Sequence, residues 1–102
     1  LEGVLLVVRR AGRVLLRQRA ADARRMADFW ELPSPEDLPK AKQGAEFGEI
    51  RHTITHHHYR LAVRAAQGGA SGLGFRWFEP RALAEIPLST TARKALKLAG
   101  IL

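Results

Sequence analysis

The residues best equipped for chemistry lie between Arg51 and Leu61, in the order R-H-T-I-T-H-H-H-Y-R-L. All four histidines of the chain fall there (His52, His56, His57, His58), beside two threonines and two arginines. Imidazole, hydroxyl and guanidinium groups side by side can hydrogen-bond an anion or a heterocycle. On a strand, alternate residues share a face. From Tyr59 onward the apolar set is Tyr59, Leu61, Val63 and Ala65, with Arg60 and Arg64 opposite, as in a half-buried strand. Upstream, Thr53 and Thr55 keep the register of Tyr59, while Ile54 falls with His52, His56 and His58. That break predicts a bend or bulge over residues 54–57, where two strands meet and side chains are aimed outward.

Three chemistries compete for this stretch. His56 and His58 have the spacing that sets two imidazoles on one strand face, and His52 could join them. A closed zinc site needs four ligands. The chain has no cysteine, and the nearest carboxylates, Glu46 and Glu49, have no evident reason to converge. No native metal site is expected, only adventitious nickel or zinc. Metal-assisted pyrophosphate cleavage requires several carboxylates gathered on one helix. Here Glu36, Asp37, Glu46 and Glu49 are divided by Pro39, Gly44 and Gly48, and no serine has a glycine-framed elbow. No catalytic residue is therefore assigned. Nucleic-acid binding survives. Seventeen Lys+Arg against ten Asp+Glu give +7, thirteen of the basic residues are arginine, and the pI is near 11.1. Arginine suits bidentate phosphate contacts, and such a charge points to a polyanionic partner. Arg9, Arg10, Arg13, Arg17, Arg19, Arg24, Arg25, Arg51, Arg60 and Arg64 are spread over segments expected to share one sheet. A solvated basic face accounts for many of them. Strand positions at a sheet edge are the bland account of the histidines.

The elements that must position these residues can be read in order. Gly3 to Arg19 predicts a hairpin: Val4–Val8 and Val14–Leu16 are short β-forming runs, and Arg10-Ala11-Gly12 connects them. The unbroken apolar character of the first run predicts a strand covered on both faces. Ala20 to Asp28 is expected to be a loop or loose helical turn. Phe29–Leu32 is a brief strand closed by Pro33. Ser34-Pro35-Glu36-Asp37 has the form of a helix start, limited by Pro39 to a turn or so. Lys40 to Phe47 is expected as a loop, and a second hairpin from about Gly48 to Ala66. Gln67 to Gly72 is a flexible connection. Phe75–Phe78 is a strand, and Pro80–Leu83 a short helix. Leu88 to Leu98 is the best helix, capped by Ser89 or Thr90, with Lys94 and Lys97 toward its C-terminus and Gly100 closing it. The order gives an α+β sheet domain.

With 102 residues the chain is one domain, residues 1–102, and no apolar run approaches the roughly 20 residues of a membrane helix. No signal peptide, disulfide framework or thiolate metal site is visible, which points to the cytoplasm. The first residue is Leu1, so the chain is expected to be excised from a longer one.

Arg51-His52-Thr53-Ile54-Thr55-His56-His57-His58-Tyr59 resembles the R-H-x-F-S-H-x-H-hydrophobic signature of the C-terminal domain of MutY-type A/G-specific adenine DNA glycosylases. The first hairpin, the Phe29-Trp30-Glu31-Leu32-Pro33 strand, Trp77-Phe78, and Ile86-Pro87-Leu88 with the terminal helix resemble that domain from Gly3 to Leu98. The hairpin motifs are shared with Nudix proteins generally; the signature at 51–59 separates the two. The resemblance implies a Nudix-like mixed sheet flanked by short helices and one C-terminal helix. It implies a base-excision-repair module that recognises 8-oxoguanine opposite adenine, without hydrolase activity of its own. The catalytic helical domain, with the iron–sulfur cluster of many members, would lie outside this chain, and this domain needs no cofactor. The expected partners are double-stranded DNA containing 8-oxoguanine and the catalytic domain of the same chain, with no membrane, in a monomer.

By the same resemblance, Thr55 would contact the lesion, Ile54 would pack beside the base, and His56 would contact the backbone or shape the loop. Arg51, His52, His58, Arg9 and Arg10 are the phosphate contacts expected around them. The chemistry agrees. Oxidation at C8 turns guanine N7 from an acceptor into an N–H donor beside a new carbonyl, and a hydroxyl can answer either group. The sequence departs from the signature with Ile54 for Phe, Thr55 for Ser, and His57. A diverged Nudix-type nucleotide pyrophosphohydrolase, or a non-catalytic Nudix-like module binding nucleic acid or protein, are the other readings.

Overall fold

The structure is a computed structural model that describes residues 1–19, 28–68, 72 and 74–102. Strand β1 (Glu2–Arg10) turns into β2 (Arg13–Gln18) through Ala11 and Gly12 alone. Both loop residues take positive φ, 51° and 77°, as a two-residue type I′ hairpin turn requires. β2 pairs at its far end with the short β3 (Trp30–Glu31) and along its length with β6 (Phe75–Phe78). On its other side β1 runs parallel to β5 (His57–Gln67), and β5 is antiparallel to β4 (Lys42–Ile54) at the edge. The sheet order is β3-β2-β1-β5-β4, with β6 on β2. A 3₁₀ helix (Pro80–Glu85) and the helix α1 (Thr90–Leu98) complete the described elements. The expected α+β architecture, a mixed sheet with short helices and a C-terminal helix, is the one observed.

β1 is buried on both faces, as its unbroken apolar run predicts. Val7 joins Val14, Leu16, Trp30, Ile50, Val63 and Phe78 under Leu83, Leu88, Ala92, Ala95 and Leu96. Leu6 and Val8 join Leu15 and Ala66 on the other face, beneath Leu38. The first core is the larger because α1 lies on it. Ser89 caps that helix, its Oγ accepting from the backbone N–H of Ala92 at 3.1 Å. Gly100, at φ 77°, ends it. Both ends are where the sequence puts them.

Two expectations need correction. Ser34–Asp37 is a turn, not a helix. Asp37 and Leu38 donate their N–H groups to the Ser34 carbonyl, and Asp37 Oδ2 accepts from both N and Oγ of Ser34. With Pro39 following, one turn satisfies the local hydrogen bonds and no helix can extend. Lys40–Phe47 is not a loop throughout: β4 begins at Lys42, because β5 offers it a partner as far as Gln67. The two glycines do mark irregularity, since the register shifts between Gln43 and Glu46 and between Glu46 and Gly48. The loop expected at Ala20–Asp28 falls mostly on residues 20–27, and the connection after Gln67 partly on 69–71, outside the described residues.

Leu96 is fully buried against the sheet. Leu96→Ala is expected to cost about 2–5 kcal/mol, read as a lower urea midpoint at unchanged slope. A midpoint equal to the parent's would mean that α1 is not docked.

Candidate functional site

The bend or bulge expected over residues 54–57, where two strands meet, is a tight turn joining β4 to β5. β4 and β5 pair rung by rung up to Ile54 opposite His57, leaving only Thr55 and His56 as the loop. Thr55 has φ 55°, and His56 is not among the residues with positive φ. Positive φ at the first loop position alone is the pattern of a type II′ turn, which suits glycine there. A β-branched residue in that conformation is strained. Thr55 and His56 are both exposed at the tip, and among the described residues no hydrogen bond engages the Thr55 hydroxyl.

This pairing fixes where every other residue of the stretch faces. Arg51 lies opposite Arg60, Thr53 opposite His58, His52 opposite Tyr59, and Ile54 opposite His57. Pleating then sends Arg51, Thr53, His58 and Arg60 to one face, and His52, Ile54 and Tyr59 to the other. Two grooves result, back to back. The first has a volume of about 440 Å³ and is lined by Leu1, Arg51, His52, Thr53, His58, Tyr59 and Arg60. In it the Thr53 Oγ1 and His58 Nδ1 share a hydrogen bond of 3.1 Å. The second, about 290 Å³, is bordered by Arg19, Glu31, His52, Ile54, Tyr59, Ser89, Thr90 and Thr91 at the start of α1. His52 and Tyr59 border both.

The residues singled out in the sequence therefore do not form one cluster. Ile54, Thr55 and His56 are contiguous at the tip. Arg51 and His58 lie on one face, and His52 lies chiefly on the other. Arg9 and Arg10 are remote from all of them. β1 places Glu2 beside Arg60 and Val8 beside Ala66, so Arg10 lies about 26 Å along the strand from that rung. Arg10 stacks on the Trp77 ring at 5.1 Å instead. Arg24 and Arg25 lie outside the described residues. Sequence reasoning missed the pairing of Arg60 with Arg51 and the contribution of Arg19 and Ser89–Thr91. A two-residue loop at Thr55-His56 would have fixed the first by counting outward, but Thr-His is not a usual turn pair. The second depends on helix docking and left no local signal.

Three of the carboxylates, Glu31, Asp37 and Glu49, are paired with arginines. Arg17 and Arg19 hold Glu31 at 3.8 and 3.4 Å, Arg17 holds Asp37 at 3.6 Å, and Arg60 holds Glu49 at 3.4 Å. Glu36 sits on the exposed turn, and Glu46 and Glu49 on β4. These residues do not fit a magnesium site of the kind pyrophosphate cleavage uses. Among the described residues no three of His, Asp and Glu converge to hold a metal ion.

The NUDIX domain family model matches residues 3–98. The chain belongs to the NUDIX domain family. No curated protein sequence matches it. Among solved structures it resembles the C-terminal domain of mouse MUTYH, solved in complex with human PCNA. That likeness has 24% identity and a TM-score of 0.69, covering 97% of this chain and 86% of the other. It also resembles a MutT NUDIX hydrolase from Burkholderia pseudomallei at 18% identity, with a TM-score of 0.70 and 95% of each chain covered. The E. coli ORF135 protein is similar at 20% identity, with a TM-score of 0.69 and coverage of 96% of this chain and 91% of that one. At these identities the likeness is one of fold. Among the described residues no helix of this NUDIX domain is long and apolar enough to cross a membrane.

Thr55→Gly is expected to raise unfolding stability by about 0.5–1 kcal/mol, since glycine takes positive φ freely. A fall in stability would mean that the Thr55 side chain holds the turn together.

Proposed function

We propose that this domain is a DNA-binding module of a MutY-type adenine glycosylase, which inspects 8-oxoguanine opposite adenine through the β4–β5 tip. The observation that carries the reading is Thr55: it is exposed at the apex of the two-stranded β4–β5 arm, and its hydroxyl is unengaged among the described residues. A hydroxyl in that position is free to accept from N7–H or donate to O8 of the oxidised base. Ile54 beside it is half-buried and offers an apolar edge, and His56 completes the turn. The fold shared with the mouse MUTYH domain supports this assignment. So do the net charge of +7 and the arginines flanking the arm.

Catalysis of adenine excision would belong to a helical domain elsewhere in such a protein, and this chain, which has no cysteine, supplies no iron–sulfur ligands. The second reading, a diverged NUDIX hydrolase, rests on the fold shared with the Burkholderia enzyme. The commitment of Glu31, Glu49 and Asp37 to arginine partners weighs against it. A protein partner is a third, since the mouse domain is seen bound to PCNA.

Two experiments separate these readings. Thr55→Val keeps the shape and removes the hydroxyl. In a protein that also carries the catalytic domain, it should lower the preference for 8-oxoguanine·adenine over guanine·adenine duplex by roughly two- to twelve-fold, the worth of one hydrogen bond. Binding of undamaged duplex should hardly change, because phosphate contacts remain. A variant that discriminates as well as its parent removes Thr55 from lesion recognition. With magnesium or manganese, the domain alone should release neither phosphate nor pyrophosphate from nucleoside triphosphates. Release at enzymatic rates would establish the hydrolase reading instead.

A further inference from the structure

Arg51 lies directly opposite Arg60 in the β4–β5 ladder. Cross-strand neighbours have Cβ atoms about 4.5–5.5 Å apart, and like charges so placed destabilise a sheet. Neither residue escapes by burial: both are exposed, and the Arg60 side chain retains 57% of its accessible surface. The countercharge lies on the Arg60 side, where β1 also sets Glu2 beside Arg60. The Nε of Arg60 faces Glu49 Oε1 at 3.4 Å, and among the described residues Arg51 makes no ion pair. One rung nearer the tip, on the same face, the hydrogen bond between Thr53 and His58 fixes a hydroxyl and an imidazole beside the two guanidinium groups. All four border the groove of about 440 Å³.

We infer that Arg51 and Arg60 together clamp one phosphodiester of a nucleic-acid strand, with Thr53 and His58 as flanking hydrogen-bonding groups. The inference rests on the nucleic-acid-binding part of the function proposed above, and not on lesion selectivity. Guanidinium forks match phosphate oxygens bidentately. An anion between them supplies the countercharge that Arg51 lacks among the described residues and turns a repulsive pair into a cooperative one. A strand fits better than a free nucleotide. Among the described residues bordering the groove, Tyr59 is the one ring besides the histidines, and its side chain belongs chiefly to the opposite face, so no aromatic face is offered there for stacking a base. The clamp also lies on the arm that carries Thr55, four residues from the tip, so one strand can engage both.

The test uses the full chain, undamaged duplex, and affinity measured across potassium chloride concentrations. Arg51→Gln and Arg60→Gln should each weaken binding. The double variant should flatten the slope of log K against log salt by about 0.9, the value for one phosphate. Its deficit relative to the parent should then shrink about three- to four-fold between 50 and 200 mM salt. Arg60→Lys should keep the parent slope, because the charge remains, yet bind less tightly, because the fork is lost. An Arg60→Gln chain binding like its parent would overturn the inference and leave Arg60 as the partner of Glu49. A slope change near twice the expected value would mean two separate phosphates and no clamp. Tight binding of dGTP with no binding of duplex would assign the groove to free nucleotides. A Thr55→Val protein that keeps its parent's lesion preference, with the salt behaviour as expected for the clamp, would remove Thr55 from lesion recognition and leave the clamp standing.

Discussion

The pairing of β1 with β5 is the constraint on which the rest of the structure depends. It is the sheet's parallel ladder, running from Glu2 beside Arg60 to Val8 beside Ala66. A parallel strand between two neighbours needs cover on both faces, and β1 meets that need with Leu6 and Val8 on one side and Val7 on the other. The α1 helix covers the Val7 face, and the short turn through Leu38 covers the other. Among the described residues, the sheet face beyond that short turn carries charged side chains. Arg51 and Arg60 lie there, both exposed.

The same pairing makes the β4–β5 arm rigid at its base and free at its tip. β5 is held between β1 and β4, whereas β4 is an edge strand whose far end projects with β5 into the turn at Thr55-His56. Edge strands invite pairing with other chains unless charge or irregularity blunts them. Here the register shifts between Gln43 and Gly48 supply irregularity, and Lys94 on α1 reaches the Arg51 carbonyl at 3.4 Å. Leu98 lies against Gly48, where an added Cβ would come within 3.0 Å of Cδ2. The exposed Leu98 side chain could shift by a few tenths of an ångström, so it is the φ of 151° that calls for glycine there.

Strain at Thr55 and repulsion between Arg51 and Arg60 are both unfavourable to the isolated domain, and both sit on the arm. Local choices that conflict with stability tend to mark functional positions. Elsewhere the chain follows the local rules closely. Two positive-φ residues close the first hairpin, a serine caps α1, a glycine ends it, and Arg17 and Arg19 pair with the half-buried Glu31 of β3.

Strand and helix identities were legible in the sequence wherever hydrophobic period and capping agreed. The two-sided burial of β1, the β6 strand, the Ser89 cap and the Gly100 stop were all readable, because each depends on residues within one turn or one strand of itself. The helix expected at Ser34 failed because capping residues also stabilise a lone turn, and only the absence of room before Pro39 distinguishes them. The loop expected at Lys40–Phe47 failed because glycines mark bulges as well as loops, and a partner strand decides which. The sequence by itself determined which groups could do chemistry on the 51–60 stretch, since residue types need no neighbours. The tertiary structure decided their grouping. A hairpin's register sets which side chains share a face, and a shift of one residue would exchange the two grooves. That register, together with the parallel ladder, put Arg60 beside Arg51, sent His52 toward α1, and left Arg9 and Arg10 at the far end of the sheet.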